Sequence, residues 1–292
     1  KRRLDTLDPN QPFAFSQAAL QDYQECRRRF QLRYLLQAAW PAPQAEPVRE
    51  HERQIRRGER FHRLAQQALL GVPLDRLDAV AAADSDEHLA QWWQNFTRLL
   101  PELQGEQRYV ETLLSAPLGR HRLVAKYDLL VLLTGPKLVI YDWKTSLKRP
   151  RRAWLENRSQ TRIYPYLAVK AAAGLRSGLS LLPQQVEMIY WFAAHPGQPE
   201  KIVYTSEQYQ KDERDLAALV REIDSLSSNQ FDMTTEERAC QYCVYRSYCA
   251  RGVSAGSLTE SDKEFEPEGE IQIDFDQIAE INRKVMDMHT VE

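Results

Sequence analysis

Long apolar runs are missing from this chain. Nothing in its 292 residues approaches the roughly 18 consecutive apolar side chains that a membrane-spanning helix needs, which argues against membrane insertion. Residues 1–12 also lack the apolar stretch of a secretory signal. Cysteine is scarce, four in all, with three crowded into residues 240–249. That is a poor disulfide framework for a chain of this size but a good set of metal ligands, and it predicts reduced thiols and a cytoplasmic protein. Repeats and low-complexity stretches are absent, as is the Gly-x4-Gly-Lys-Ser/Thr phosphate loop of nucleotide hydrolases.

What is present is an ordinary composition, 43% hydrophobic and 27% charged. The length suffices for one catalytic core with helical additions. The formal net charge of −2 hides an asymmetry: residues 260–292 carry 11 acidic against 3 basic side chains, a net −8 that leaves +6 on the first 259 residues. A basic body suits a polyanionic partner. The acidic run, assigned to residues 253–292, is expected to be a solvated appendage.

Hydrophobic spacing predicts a helix over residues 16–36, with Ser16 as N-cap and Leu20, Tyr23, Phe30 and Tyr34 among its apolar positions. Pro41, Pro43 and Pro47 mark a break. Further helices are expected over residues 48–70, ended by Gly71, and over 84–104, where Trp92, Trp93, Phe96 and Leu100 form a core stripe. The period then changes. Residues 108–114, 121–133 and 137–143 read as strands, the last two a hairpin turned at Thr134-Gly135-Pro136. A helix follows over 158–173, strands over 186–193 and 201–205, and a long helix over 206–226 capped by Ser206. This order predicts an α/β or α+β fold with a central sheet flanked by helices.

Asp128 sits in the apolar run Val124-Ala-Lys-Tyr-Asp-Leu-Leu-Val131. A carboxylate there is costly unless it is paired or holds a cation. In the next strand, Val139-Ile-Tyr-Asp-Trp-Lys-Thr145 supplies Asp142 and Lys144, which strand alternation places on one face while Trp143 points to the other. Pairing of the two strands as a hairpin puts Asp128 beside Asp142. Two carboxylates and a lysine suit phosphodiester hydrolysis. Hard oxygens hold Mg2+ or Mn2+, the ion lowers the pKa of an attacking water, and the ammonium orients that water or stabilises developing charge. A buried salt bridge between Lys144 and one Asp is the structural alternative.

These residues resemble the PD-(D/E)XK nuclease superfamily, whose core is the restriction-endonuclease-like fold with a mixed sheet. Three further segments resemble its RecB-type branch: Gly58-Glu-Arg-Phe-His62 its metal-binding His run, Glu111 its upstream acidic residue, and Gln160-Thr-Arg-Ile-Tyr164 its Gln-x-x-x-Tyr pattern. Ala125 replaces a Gly common in the family, and Pro165 should kink its helix or fix the helix start close to Gln160. The resemblance implies that His62, Asp128, Asp142 and the backbone carbonyl of Trp143 ligate metal, and that Lys144 activates water. It implies that Gln160 and Tyr164 position the substrate or the lysine, and that Glu111 reaches the metal through water or caps the sheet.

Cys240-x-x-Cys243-x5-Cys249 is far from Cys26 in sequence. Four thiolates suit either zinc or an iron-sulfur cluster, and spacing does not choose between them. This one-plus-three pattern, bracketing the other motifs, resembles the iron-sulfur branch of the superfamily, which includes AddB-type helicase-nuclease subunits and CRISPR-associated exonucleases. Tyr23-x-x-Cys26-x3-Phe30 is similar to that branch's first helix, with Arg27 where Pro is usual. The resemblance spans residues 13–252 as one nuclease domain. It implies a structural 4Fe-4S cluster on Cys26, Cys240, Cys243 and Cys249.

Lys148, Arg149, Arg151, Arg152, Arg158 and Arg162 follow the D-x-K motif, and Arg27, Arg28 and Arg29 form a second basic run. Both are candidate phosphate contacts or merely solvated faces. Trp154 and Tyr166 are candidate base-stacking rings or core aromatics. The resemblance implies a metal-dependent deoxyribonuclease, an exonuclease acting on DNA ends or single strands, and the lack of a base-reading motif predicts weak sequence preference. Recombination repair or CRISPR spacer processing would be its setting, with a separate helicase or a CRISPR integrase as partner. The alternative is a non-catalytic DNA-binding scaffold subunit of a helicase-nuclease complex.

Overall fold

The computed structural model describes residues 5–38, 46–241, 243–250 and 252. The acidic run 253–292, Pro41, Pro43 and the side chain of Pro47 lie outside the described residues. A short strand, β1 (Ala14–Phe15), leads into α1 (Gln17–Glu25), where the Ser16 hydroxyl accepts from the Ala19 N–H at 3.1 Å. The single helix expected over residues 16–36 is broken at Cys26, whose backbone is extended (φ −163°, ψ 109°). The chain resumes as α2 (Arg27–Phe30) and one π-helical turn, Gln31–Leu35. Asp22 accounts for the break. It holds Arg29 at 2.8 Å and Arg33 at 3.1 Å, whereas in a straight helix Arg33 would stand about 16 Å further along the axis.

Helices α3 (Glu46–Leu69), α4 (Leu74–Ala83) and α5 (Glu87–Leu99) follow, of which α4 has no counterpart among the expected elements. Next come β2 (Gln107–Leu118), β3 (His121–Leu133), β4 (Lys137–Lys144), α6 (Arg152–Glu156), α7 (Ser159–Lys170) and α8 (Ala172–Leu175). The described part closes with β5 (Val186–Phe192), β6 (Glu200–Val203), α9 (Ser206–Ser225), α10 (Glu237–Gln241) and α11 (Arg246–Cys249). The cap of α9 is Thr205 rather than Ser206: Thr205 Oγ1 accepts from the Gln208 N–H at 3.1 Å, the reach from N-cap to third helical residue. α7 starts at Ser159, next to Gln160, and Pro165 lies well inside it, where it removes one helical hydrogen bond.

The fold is mixed α/β, a six-stranded mixed sheet flanked by helices. β3 pairs antiparallel with β2 from Leu118↔His121 to Gln107↔Leu132. It also pairs parallel with β1 at Arg122 and Leu123, and antiparallel with β4 over residues 129–133. β4 and β5 are parallel, β5 and β6 antiparallel. β3 reads as a nearly unbroken apolar run because both of its faces are covered. Leu130, Leu132 and Ile140 face a core shared with Ile163 and Leu167 of α7. Leu129, Val131 and Trp143 face the other core, with Phe61 of α3 and Trp92 and Phe96 of α5. Each such side chain contributes about 1.5–3 kcal/mol when fully buried, so α7 and α3 are fixed on opposite faces of the same strands. No helix among the described residues is long and apolar enough to cross a membrane.

Candidate active site

The β3–β4 ladder ends at Leu129↔Tyr141. One step further, where Asp128 and Asp142 come opposite each other, a side chain takes over: Asp128 Oδ2 accepts from the Trp143 N–H at 2.8 Å. The Trp143 ring goes to the far face, edge-on to Phe96 at 5.2 Å. Asp142 and Lys144 share the near face, with Nζ 2.8 Å from Oδ2. Both are buried, and a lysine so placed needs partners to stay charged. Gln160, from α7, supplies two contacts at once. Its Oε1 accepts from Lys144 Nζ at 2.9 Å, and its Nε2 donates to Asp142 Oδ1 at 2.6 Å. The Tyr190 ring lies 5.2 Å from the ammonium, a favourable cation–π distance.

His62 reaches this centre from α3. Gly58, one turn earlier on the same helix face, permits the approach: a Cβ there would stand 3.0 Å from Thr145 Oγ1, just past Lys144. His62 Nδ1 is 3.2 Å from Asp128 Oδ1. Glu111 faces Asp128 across the β2–β3 pair, between Val110↔Leu129 and Thr112↔Tyr127, and its backbone is left-handed (φ +49°). Non-glycine residues adopt that conformation at a cost, and such strain concentrates at functional positions. His62, Glu111 and Asp128 offer ligand atoms that all lie within 4.8 Å of one another. One imidazole and two carboxylates form a donor set that Mg2+ or Mn2+ accepts. Asp142 stands beside this group with its carboxylate held by Lys144 and Gln160.

Electrostatics follow from these distances. Burial disfavours a charged His62, but the Asp128 carboxylate overrides it, with help from Asp142 and Glu111, and raises the imidazole pKa to about 9. Burial opposes ionisation of Asp128 too, yet His62, the Trp143 N–H and Lys144 hold its carboxyl below the usual range. Burial and the nearby Asp128 push Glu111 upward against the pull of Lys126 and His62.

Tyr164 stands elsewhere. It is buried, its hydroxyl donates to the Lys126 carbonyl at 2.9 Å, and its own carbonyl accepts from the Tyr127 hydroxyl at 2.8 Å. It braces α7 against β3 just ahead of Asp128. Lys126, which the motifs did not single out, lies 2.5 Å from Glu111 Oε2. Its position two residues before Asp128, hence on the same strand face, is the signal that marks it.

The basic cluster divides. Arg162 is held by Asp212 and Asp215 at 2.6 and 2.5 Å, Arg149 pairs with Glu200, and Arg152 with Glu156 and Glu200. Arg158 lies over the Trp154 ring at 4.7 Å. Lys148 and Arg151 remain exposed, without an ion pair among the described residues. The run at 27–29 is engaged as well: Arg27 with Glu222, Arg28 with Gln31, and Arg29 with Asp22 and Glu25. Tyr166 is buried against Tyr209, ring centroids 5.3 Å apart, and is a core aromatic.

The break at Cys26 puts its thiol on a cavity shared with Cys240, Cys243 and Cys249, with Arg29 on the wall. None of the four is in a disulfide. Burial, relieved in part by the Tyr245 N–H and Arg29, pushes Cys243 up to about 11. A group that binds Cys243 as a thiolate has to displace that proton.

The sequence model of the PD-(D/E)XK nuclease superfamily matches residues 14–250. Among solved structures, a protein named SSO0001 aligns at 11% identity over 83% of this chain and 88% of its own, with a TM-score of 0.40. A Eubacterium rectale protein provisionally named an exonuclease aligns at 9% identity over 71% of this chain and 79% of its own, with a TM-score of 0.44. No protein of curated function matches the sequence significantly.

Proposed function

Since the chain belongs to the PD-(D/E)XK nuclease superfamily, whose members use divalent metals, we propose that it is a metal-dependent deoxyribonuclease of the RecB/AddB-like iron-sulfur branch. It hydrolyses phosphodiester bonds at DNA ends or in single strands. The observation that carries this reading is the adjacency of two sets at the end of the β3–β4 ladder: His62, Glu111 and Asp128 as candidate ion ligands, and Lys144 fixed by Asp142 and Gln160. A bound Mg2+ or Mn2+ supplies charge neutralisation at the phosphoryl group and a lowered pKa for the attacking water. Asp142 and the neighbouring Trp143 carbonyl would complete the ligand set.

The chain's own part is positioning. Lys144, held from two sides, keeps an ammonium where water and developing phosphoryl charge need it. Gln160 sets the ammonium's direction, and Tyr164 keeps β3 in place beneath Asp128. Lys148 and Arg151, exposed just past the motif, track the phosphate backbone without reading bases.

For the cysteines, the resemblance to the iron-sulfur branch favours a 4Fe-4S cluster over zinc, and the four side chains that line one cavity would supply its thiolates. In this reading residues 13–252 form one nuclease domain, stapled by the cluster near both of its ends. Recombination repair or CRISPR spacer processing is the corresponding setting, with a helicase or integrase supplied separately.

The test is degradation of end-labelled single- and double-stranded DNA in Mn2+, Mg2+ or EDTA by anaerobically purified protein and its Asp142→Ala variant. Cleavage that needs the ion and is lost in the variant is expected. Equal products from both proteins, or none from either, would overturn the nuclease reading, and bound DNA without products would mark a scaffold subunit. Iron, sulfide and zinc analysis of the same protein, with its Cys26→Ser variant, tests the cluster independently.

A further inference from the structure

Lys126 and Glu111 form an ion pair that is open to solvent on one side only. The lysine lies on β3 two residues before Asp128 with its side chain 44% exposed, against 15% for Glu111, so the ammonium reaches solvent while its partner carboxylate is largely buried. Lys126 covers Oε2 of a carboxylate that sits within 4.8 Å of the His62 and Asp128 ligand atoms. That carboxylate is delivered by a left-handed backbone in mid-strand. The contrast with Lys144 is one of mobility. Lys144 is buried and gripped by Asp142 and Gln160, whereas Lys126 is held at its head by Glu111 and otherwise reaches solvent.

We propose that Lys126 is an exchangeable ammonium of the nuclease centre, one that neutralises Glu111 until a divalent cation binds and then contacts the DNA phosphate at the same site. The proposal rests on the reading of His62, Glu111 and Asp128 as the ion site, and it deepens that reading. A divalent cation on the Glu111 carboxylate repels the ammonium already held there, whichever oxygen it takes. The incoming ion therefore displaces Lys126, whose four-carbon stem leaves the charge within reach of whatever the ion binds. The substrate's phosphodiester, itself an anion, is the group that both cations attract. Ion and DNA binding then become coupled through one side chain. Because linkage is reciprocal, DNA raises ion affinity by the factor by which the ion raises DNA affinity.

The experiment uses the full chain and Lys126→Gln, with Lys126→Arg as the conservative control. Mn2+ binding is measured without DNA by electron paramagnetic resonance of free Mn2+. Binding of a fluorescent oligonucleotide is measured by anisotropy in Ca2+ and in EDTA. In Lys126→Gln, Mn2+ affinity should rise by roughly three- to fivefold, because no ammonium has to be displaced, and DNA affinity in Ca2+ should fall by a similar factor. DNA affinity in EDTA should stay unchanged, and Lys126→Arg should restore the gain that Ca2+ gives. Weaker or unchanged Mn2+ binding would overturn the proposal, as would an equal loss of DNA affinity with and without Ca2+. Failure of the ion-site reading is seen separately, as Mn2+ binding by the parent protein that His62→Ala leaves unaltered. An unchanged unfolding temperature for Lys126→Gln confirms that a folded protein is being compared.

Discussion

Replacing Arg162 with leucine separates a structural cation from a DNA-binding one. The residue follows the D-x-K motif in a basic cluster, but its Nε lies 2.6 Å from Asp212 Oδ1 and a second nitrogen 2.5 Å from Asp215 Oδ2. Asp212 is fully buried and also accepts from the Tyr204 hydroxyl and Gln208 Nε2, both at 2.9 Å. Arg162→Leu leaves that carboxylate with neutral donors inside the protein. Breaking a buried pair from one side costs about 3–5 kcal/mol. At about 2–4 °C per kcal/mol for a chain of this size, Tm should fall by roughly 6–20 °C. Because the stranded charge is what costs, the double variant Arg162→Leu with Asp212→Leu should recover much of the loss. DNA affinity, followed by anisotropy across a salt series, should change little, since each lost phosphate contact lowers the salt slope by about 0.9 and Arg162 makes none. An unchanged Tm together with weaker, less salt-dependent DNA binding would place Arg162 on the nucleic acid and refute the reasoning.

Gln160→Ala removes two hydrogen bonds to charged groups, worth about 1.5–3 kcal/mol each. With Lys144 held from one side only, single-turnover cleavage should slow by about a hundredfold with KM little altered, and a loss under about threefold would detach Gln160 from the chemistry. His62 has a folded pKa raised from 6.5 to about 9, so the stability it contributes to the metal-free protein is present below pH 6.5 and lost as pH rises through 9. Tm in EDTA should therefore decline across that window, and a decline of the same size in His62→Gln would count against the Asp128 pairing. Binding of Mn2+ has to displace the same proton, so its affinity should rise by about tenfold per pH unit up to pH 9. Lys148→Ala and Arg151→Ala should each weaken DNA binding evenly across sequences and reduce the salt slope by about 0.9, and a sequence-dependent loss would mean base contact.

The strands and the D-x-K face were legible because period-two alternation is local, and the turn at 134–136 fixes the hairpin register that brings Asp128 opposite Asp142. His62 was legible through its run with Gly58, whose role becomes physical once Thr145 is seen against it. Other features depend on partners distant in sequence. The kink at Cys26 follows from the reach of Asp22 to Arg33. The roles of Arg162 and Tyr166 stayed open between DNA contact and a place in the protein because nothing near them in sequence announces that Asp212 and Tyr209 of α9 will cover them. The left-handed Glu111 is invisible to propensity, since glutamate has no local reason to adopt it. Lys126 escaped for the opposite reason: an exposed lysine on a strand is common, and only its distance to Glu111 makes it informative.

Asp128 and Asp142 are neighbours in register yet serve different partners, and the end of the β3–β4 ladder is the cause. Up to Leu129↔Tyr141 the strands pair through their backbones. Beyond it the Trp143 N–H turns to Asp128 Oδ2, which leaves Oδ1 toward His62 while the next strand face carries Asp142 to Gln160. Asp128 is thus a backbone acceptor and, in the proposed function, an ion ligand, and substitution can separate the two. Asp128→Asn keeps a carbonyl oxygen for the Trp143 N–H and an amide for His62, so the fold should hold while Mn2+ binding is lost with the charge. Asp128→Ala leaves a buried N–H without its acceptor, which costs about 1–3 kcal/mol. It should therefore lower Tm as well as abolish ion binding. Equal Tm values for the two variants would mean that the carboxylate does not hold the D-x-K strand, and that Lys144 and the ion ligands are positioned independently.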